Sequence, residues 1–192
     1  LKCLTHEAEA MRWFWIDRFE KFQVGKQAVT LKNVTLSEEP IDDYLPGIPH
    51  YPHSLMIEGM AQTGGLLISQ MQDFTQRVVL AKISKAEFLD IARPGDQLRL
   101  TASILSLKDD GAIIHGKIEV DGKPIAEMEL TFAILDESFG EESFFLPGDL
   151  CRILRSMELF KVGRNDDGSQ IDIPEYMLQA ELDEAPVLSN WP

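Results

Sequence analysis

The chain has 192 residues, room for one domain with a proper core plus an appendage, and its 44% hydrophobic and 26% charged content is ordinary for a globular protein. A formal net charge of −14 excludes the basic face that nucleic acid requires. No apolar run approaches the roughly 20 residues needed to span a membrane.

Residues 1–10 carry neither the basic n-region nor the apolar h-region of a secretory signal, and Met11 is a candidate start. Two cysteines, Cys3 and Cys151, provide no disulfide framework and no metal-ligand spacing. A reducing, cytoplasmic setting with no metal is therefore expected. The acid is unevenly spread: residues 136–192 hold 13 Asp/Glu against 4 Lys/Arg, whereas residues 1–135 hold 19 against 14. That contrast places a boundary near Asp136, giving a body over 11–135 and an acidic extension over 136–192.

In chain order, the aromatic stretch WFWIDRFEKF (13–22) predicts a strand, VGK (24–26) a turn, and AVTLKNVTL (28–36) a second strand. Residues 37–53 hold prolines and a glycine among polar side chains and predict a loop. From Ser54, a candidate N-cap, to about Asp73 the pattern predicts one long helix. Its apolar residues lie almost all round, so the helix should be buried. Gly59, Gly64 and Gly65 each cost up to about 1 kcal/mol in a helix interior, and make sense where a sheet or another backbone comes close.

Strands are then predicted over 77–89, 96–107, 112–120 and 123–135, separated by RPGD (93–96), DDG (109–111) and DG (121–122). Asp-Gly between alternating segments is a strong hairpin signal. The expected architecture is two strands, a buried helix and an antiparallel meander of four: an α+β fold in which a curved sheet wraps one central helix. Beyond Asp136, PGDLCRILRSMELF (147–160) predicts a short amphipathic helix with Leu150, Ile153, Leu154 and Met157 on one stripe. The acidic remainder from Asp166 reads as a flexible tail or a segment laid along the body.

Several motifs in this order resemble the hot-dog-fold (3R)-hydroxyacyl-(acyl carrier protein) dehydratases of fatty acid synthesis: PGIP (46–49), LMIEGMAQTGGLL (55–67), LAKISKAEFLDIARPGDQL (80–98) and VDGKPIAEMEL (120–130). The resemblance implies a hot-dog fold and a cytoplasmic homodimer or higher homo-oligomer whose active sites lie between subunits. It implies an acyl thioester substrate on acyl carrier protein or coenzyme A, and no cofactor beyond the substrate's own thioester arm. In that family a loop histidine works with a helix glutamate. Glu58 occupies the glutamate position, and the histidine position falls on Tyr44. Gly47, Pro52, Ser54 and Gln62 lie in the matching loop and helix and are the expected substrate contacts.

Read as chemistry, a carboxylate in an apolar helix is a usable general acid or base. Gln62, four residues on, can hydrogen-bond Glu58 and fix its rotamer. A phenol is a poor base near neutral pH but a good hydrogen-bond donor, so Tyr44 is a candidate to orient substrate or protonate a leaving hydroxyl, or simply to pack. His53, at the helix mouth, is the better of the two loop histidines, because His50 lies only eight residues before Glu58; His115 and His6 read as structural. Met56 and Met60 read as core. Lys82, Lys85, Arg93 and Arg99 form a candidate basic patch for an acidic carrier or a coenzyme A phosphate. Three readings stay open: a dehydratase acting through Glu58, a hot-dog thioesterase using Glu58, and a non-catalytic acyl-thioester binding module.

Overall fold

The computed structural model describes residues 14–38, 47–135 and 145–184. Strands β1 (Arg18–Gln23) and β2 (Gln27–Asn33) form a hairpin around the Val24–Lys26 turn, with Gly25 at φ 67°. Helix α1 (His53–Gln70) follows, and then β3 (Arg77–Phe88), β4 (Gln97–Lys108), β5 (Gly111–Val120) and β6 (Lys123–Leu135). Alternation of apolar and polar residues built these strands, as the buried alternate residues of β5 and β6 record.

The sheet order is β3-β6-β5-β4-β2-β1-β7, where β7 (Gly163–Arg164) pairs parallel to β1 and all other pairs are antiparallel. The expected meander of four therefore needs correcting: β4, β5 and β6 form one, but β3 joins at β6 rather than β4. The chain between β3 and β4 is a crossover, not a hairpin. It is tied down on the way, with the Tyr51 N–H donating to Ala92 O at 2.8 Å and the Gly95 N–H to Val34 O at 2.9 Å.

Helix α1 lies across this curved sheet, which is the hot-dog arrangement. Met56, Met60, Leu67 and Ile68 are buried and meet Leu98, Leu100, Ile114, Ile118 and Phe132 in the core. Thr63 is buried as well; its hydroxyl donates to Gly59 O at 2.8 Å and lies 2.7 Å from the Thr30 hydroxyl, so no polar atom of the pair is orphaned. Two of the three glycines sit at the close approach expected of them, whereas a Cβ on Gly65 would meet only Phe132, at an ordinary 3.6 Å. A Cβ on Gly59 would stand 3.1 Å from both Leu100 and the Trp15 carbonyl, and one on Gly64 would collide with Ile114.

Two expectations about α1 fail. The helix begins at His53, with Pro52 as N-cap and no side-chain cap bond, so Ser54 sits exposed in the first turn rather than capping it. Pro52 supplies a pre-set φ of −58°, and its carbonyl accepts the Leu55 and Met56 N–H groups. Nor is the helix buried all round. Glu58 is exposed, and Gln62, Gly65, Leu66 and Ser69 are half-buried along one face. That face looks past β3, the edge strand, where no further strand covers it among the described residues.

The C-terminal segment is laid along the body. Helix α2 (Pro147–Ser156) is shorter than the predicted 147–160; of the predicted stripe Leu150, Leu154 and Met157 are buried and Ile153 is half-buried, and Cys151 is buried with them. A four-residue α3 (Leu159–Val162), β7 and then α4 (Glu175–Glu184) complete the described residues. These elements share a second core with Ile16, Phe19, Phe22, Leu67 and Phe74. The turn after α1 is part of that junction: Asp73 and Phe74 both adopt left-handed φ, at 50° and 59°. Tyr176 donates its hydroxyl to Asp73 O at 2.7 Å, and the Phe160 ring meets Phe74 edge-on at 6.4 Å.

Candidate functional site

Glu58 reaches the surface on the uncovered face of α1, one turn before Gln62. The four-residue spacing puts both on the same side. Gln62 donates Nε2–H to Glu58 Oε1 at 2.9 Å and accepts the Trp15 backbone N–H on its own Oε1 at 2.8 Å. Two partners of opposite polarity fix which way the amide faces, and the amide in turn fixes one carboxylate oxygen. The sequence pointed to a buried carboxylate; it finds instead an exposed one, anchored through Gln62 to the backbone at Trp15.

Glu58 and Gln62 stand at one side of a cleft of about 650 Å³ running along α1 beneath the start of β3. The volume suits a small ligand. The rest of the lining is largely apolar: Ala61, Leu66, Val78, Phe132 and, from the C-terminal segment, Phe145 and Leu150. The last two escaped the sequence reading, whose only relevant signal was the apolar stripe of 147–160.

The other expected site residues lie elsewhere. Tyr44 falls outside the described residues. Gly47, at φ 85° and exposed, turns the loop; Pro52 is buried at the helix start; Ser54 is exposed. His53 precedes Glu58 by five residues, which rotates it about 140° around the helix axis. Its ring stacks on Phe88 at 4.0 Å and 7°, and its buried Nε2 has no hydrogen-bond partner. Burial, and then the neighbouring His50, hold its pKa below the usual histidine value. His50 is itself buried, with Nδ1 3.1 Å from Ile48 O. Within one chain, then, Glu58 and Gln62 come together and His53 does not join them.

Behind Trp15 lies a polar group that the sequence reading passed over. Tyr51 is 1% exposed, its hydroxyl has no partner, and burial followed by the charges of Glu38 and Asp17 pushes its pKa up. Lys32 bridges those two carboxylates, 2.7 Å from Glu38 and 3.6 Å from Asp17. The basic patch does not gather either. Arg99 on β4 is paired with Glu20 at 2.7 Å and lies three strands from Lys82 and Lys85 on β3, of which Lys85 is paired with Glu87 at 2.9 Å. Among the described residues no cluster of His, Cys, Asp or Glu is placed to hold a metal ion, and no helix is long and apolar enough to cross a membrane.

Residues 9–129 match the FabA-like domain. The 3-hydroxyacyl-(acyl carrier protein) dehydratase FabZ of Clostridium acetobutylicum is 36% identical over 121 residues, covering 62% of this chain and 86% of that protein. The corresponding FabZ of Halalkalibacterium halodurans is 37% identical over 120 residues, with the same coverage of 62% and 86%. Among solved structures, the dehydratase heterocomplex ApeI:P from Xenorhabdus doucetiae superposes with a TM-score of 0.56 at 13% identity, covering 77% of this chain and 91% of that one. A hypothetical thioesterase from Streptococcus pneumoniae with coenzyme A gives a TM-score of 0.51 at 14% identity, covering 66% and 88%. At such identities the two structures speak for the fold alone.

Proposed function

Because the chain belongs to the FabA-like family of hot-dog 3-hydroxyacyl-thioester dehydratases, we propose that it removes water from (3R)-hydroxyacyl thioesters of acyl carrier protein or coenzyme A, with Glu58 as its acid/base. The observation that carries this is a carboxylate held by Gln62 at the side of a largely apolar cleft. One end of the substrate calls for a proton acceptor, and the other for apolar walls.

In this reading the Glu58 carboxylate takes the proton alpha to the thioester carbonyl. The electron pair left behind forms the double bond as the 3-hydroxyl departs, and the same proton leaves with it as water. Negative charge builds on the thioester oxygen meanwhile. The first N–H groups of α1, at His53 and Ser54, are the natural donors to it, because a helix start leaves them without intrahelical acceptors. Gln62 keeps the carboxylate in one rotamer. Tyr44 would serve as a phenolic donor to the departing hydroxyl. The neutral His53 ring would pack rather than transfer protons.

We place two copies of the chain in the working enzyme, joined through the β3 edge, in a reducing cytoplasmic compartment. Residues 11–135 would form the catalytic body and 136–192 an extension upon it. Thioester hydrolysis by Glu58 would use the same cleft, and a binding module would use it without turnover.

One assay separates these. With a 3-hydroxyacyl thioester, enoyl formation and thiol release are followed together. We expect enoyl product, reduced 10²–10⁴-fold by Glu58→Gln, the usual span for losing a positioned acid/base. Thiol release instead would mean hydrolysis, and tight binding without either product would leave only the binding module.

A further inference from the structure

The cleft beside α1 is not built by the family-matched body alone. Glu58 and Gln62 flank it near the start of α1, and Ser69 flanks it near the end. Eleven residues of helix separate Glu58 from Ser69, about 16 Å at 1.5 Å per residue. Toward the end of the helix the lining includes Leu66, Phe74, Leu150 and Tyr176, with the polar side chains of Ser69, Thr75, Gln76 and Arg77 among them. Leu150 and Tyr176 lie beyond residue 129, where the family match stops.

That far wall is firmly held. Leu150 sits on α2 with only 7% of its surface exposed, beside the fully buried Cys151 and Leu154. Arg155 of α2 and Glu181 of α4 pair at 2.8 Å, and Met177 of α4 is fully buried. Phe145 meets Phe14 at 5.9 Å, so the segment before α2 also closes against the body. Tyr176 ties α4 to the Asp73 carbonyl. Asp73 and Phe74 hold left-handed φ, which costs non-glycine residues free energy and persists only where the surroundings over-determine it. Here α4 and the Phe160 ring supply that constraint. Leu150 is thus packed into the body, while Tyr176, 39% exposed, is held to the wall by its bond to Asp73 O.

We propose that the C-terminal segment, through Leu150 and Tyr176, forms the far end of the acyl chamber and sets the length of acyl chain the enzyme accepts. This rests on the reading that the cleft takes the acyl chain, with the thioester near Glu58. The carboxylate sets that direction: the reacting carbons need Glu58, which leaves the methyl end to the Leu150 side chain and the Tyr176 ring. The length limit then belongs to this chain's own extension rather than to the residues it shares with its relatives.

The test uses the full chain and a series of short, medium and long 3-hydroxyacyl thioesters, with a parallel series of unreactive acyl thioethers for binding. Leu150→Trp should lower the ratio of long-chain to short-chain kcat/KM by about tenfold or more, the scale on which apolar pockets discriminate single methylenes. Tyr176→Ala should move the ratio the other way. Tyr176→Phe, which keeps the ring and loses only the bond to Asp73 O, should stay near wild type in length preference. Equal loss at all lengths, or no change in the ratio, would overturn the proposal. So would a Leu150→Trp protein whose only change is its oligomeric state, since the cleft would then be an interface between copies. Should the wild type turn over none of the thioesters, the dehydratase reading fails and the thioether affinities decide the wall. A length-dependent shift in Leu150→Trp upholds it, and an unshifted series overturns it.

Discussion

A helix of mixed exposure can carry two titratable groups to opposite fates, and α1 does so. Glu58 keeps its solvent contact and is steered by one amide, whereas His53 is stacked on Phe88 with a buried nitrogen that finds no partner. A histidine whose folded pKa is lowered resists protonation in the native state more than in the unfolded chain. Its contribution to stability is fully present above the unfolded value of about 6.5 and is lost as pH falls through the lowered folded value. Denaturant unfolding between mildly acidic and neutral pH should therefore show stability declining as the solution is acidified. His53→Phe, which keeps a ring on Phe88 and cannot take a proton, should flatten that part of the slope. An unchanged slope would place the sensitivity elsewhere. Glu58 was legible by position and spacing to Gln62. Its exposure was not, because apolar composition reports how much a helix buries and not which face a neighbouring strand leaves open.

Elements were legible where a local signal ruled them. Alternating residues and Asp-Gly turns located β4, β5 and β6 almost to the residue, since a two-residue turn and a period of two leave little choice. The glycines of α1 forecast close approach, and Gly64 is where that forecast has a measurable cost. Its position already lies against Ile114 and Phe132, both buried. Gly64→Ala should destabilise the fold by about 1–3 kcal/mol despite alanine's better helix propensity, the range for forcing atoms into a packed core. Adding Ile114→Val should recover part of the loss, so the two changes should be non-additive in denaturant melts. Helix α4 was not legible. Its ten residues EYMLQAELDE bury only Met177 completely, and its place is set by distant partners, Arg155 and the Asp73 carbonyl. The position of β3 was likewise out of reach, because strand order is decided by which edge a crossover reaches and no pattern within β3 encodes that.

Among the described residues the sheet presents one long strand edge, which carries exposed apolar side chains between its charges. Strand β3 spans 12 residues, pairs with β6 alone among the described strands, and exposes Leu80 and Ile83 at 36% and 44%. Lys82, Lys85 and two register shifts blunt the edge but leave those two side chains in solvent. The proposed pairing with a second copy would satisfy the N–H and C=O groups of that edge and cover both side chains. Ile83→Lys should shift the protein toward monomer in light scattering at fixed concentration. An Ile83→Lys chain still wholly dimeric would remove β3 from the interface.

The two ends of the sheet are not alike, and the difference governs where the sheet can be extended. At the far side from β3, the short β7 lies parallel along β1, at Phe22 and Gln23, and α2 and α3 follow the same border. A sheet with two open borders can be extended by copy after copy into a fibre, each one offering its free border to the next. With part of the β1 border occupied by the chain's own C-terminal residues, extension of the sheet is left to the β3 border, where copies meet border to like border about a two-fold axis. The same tail that walls the cleft thus also covers part of the β1 border, and a chain shortened before β7 should be judged by its sedimentation as much as by its activity.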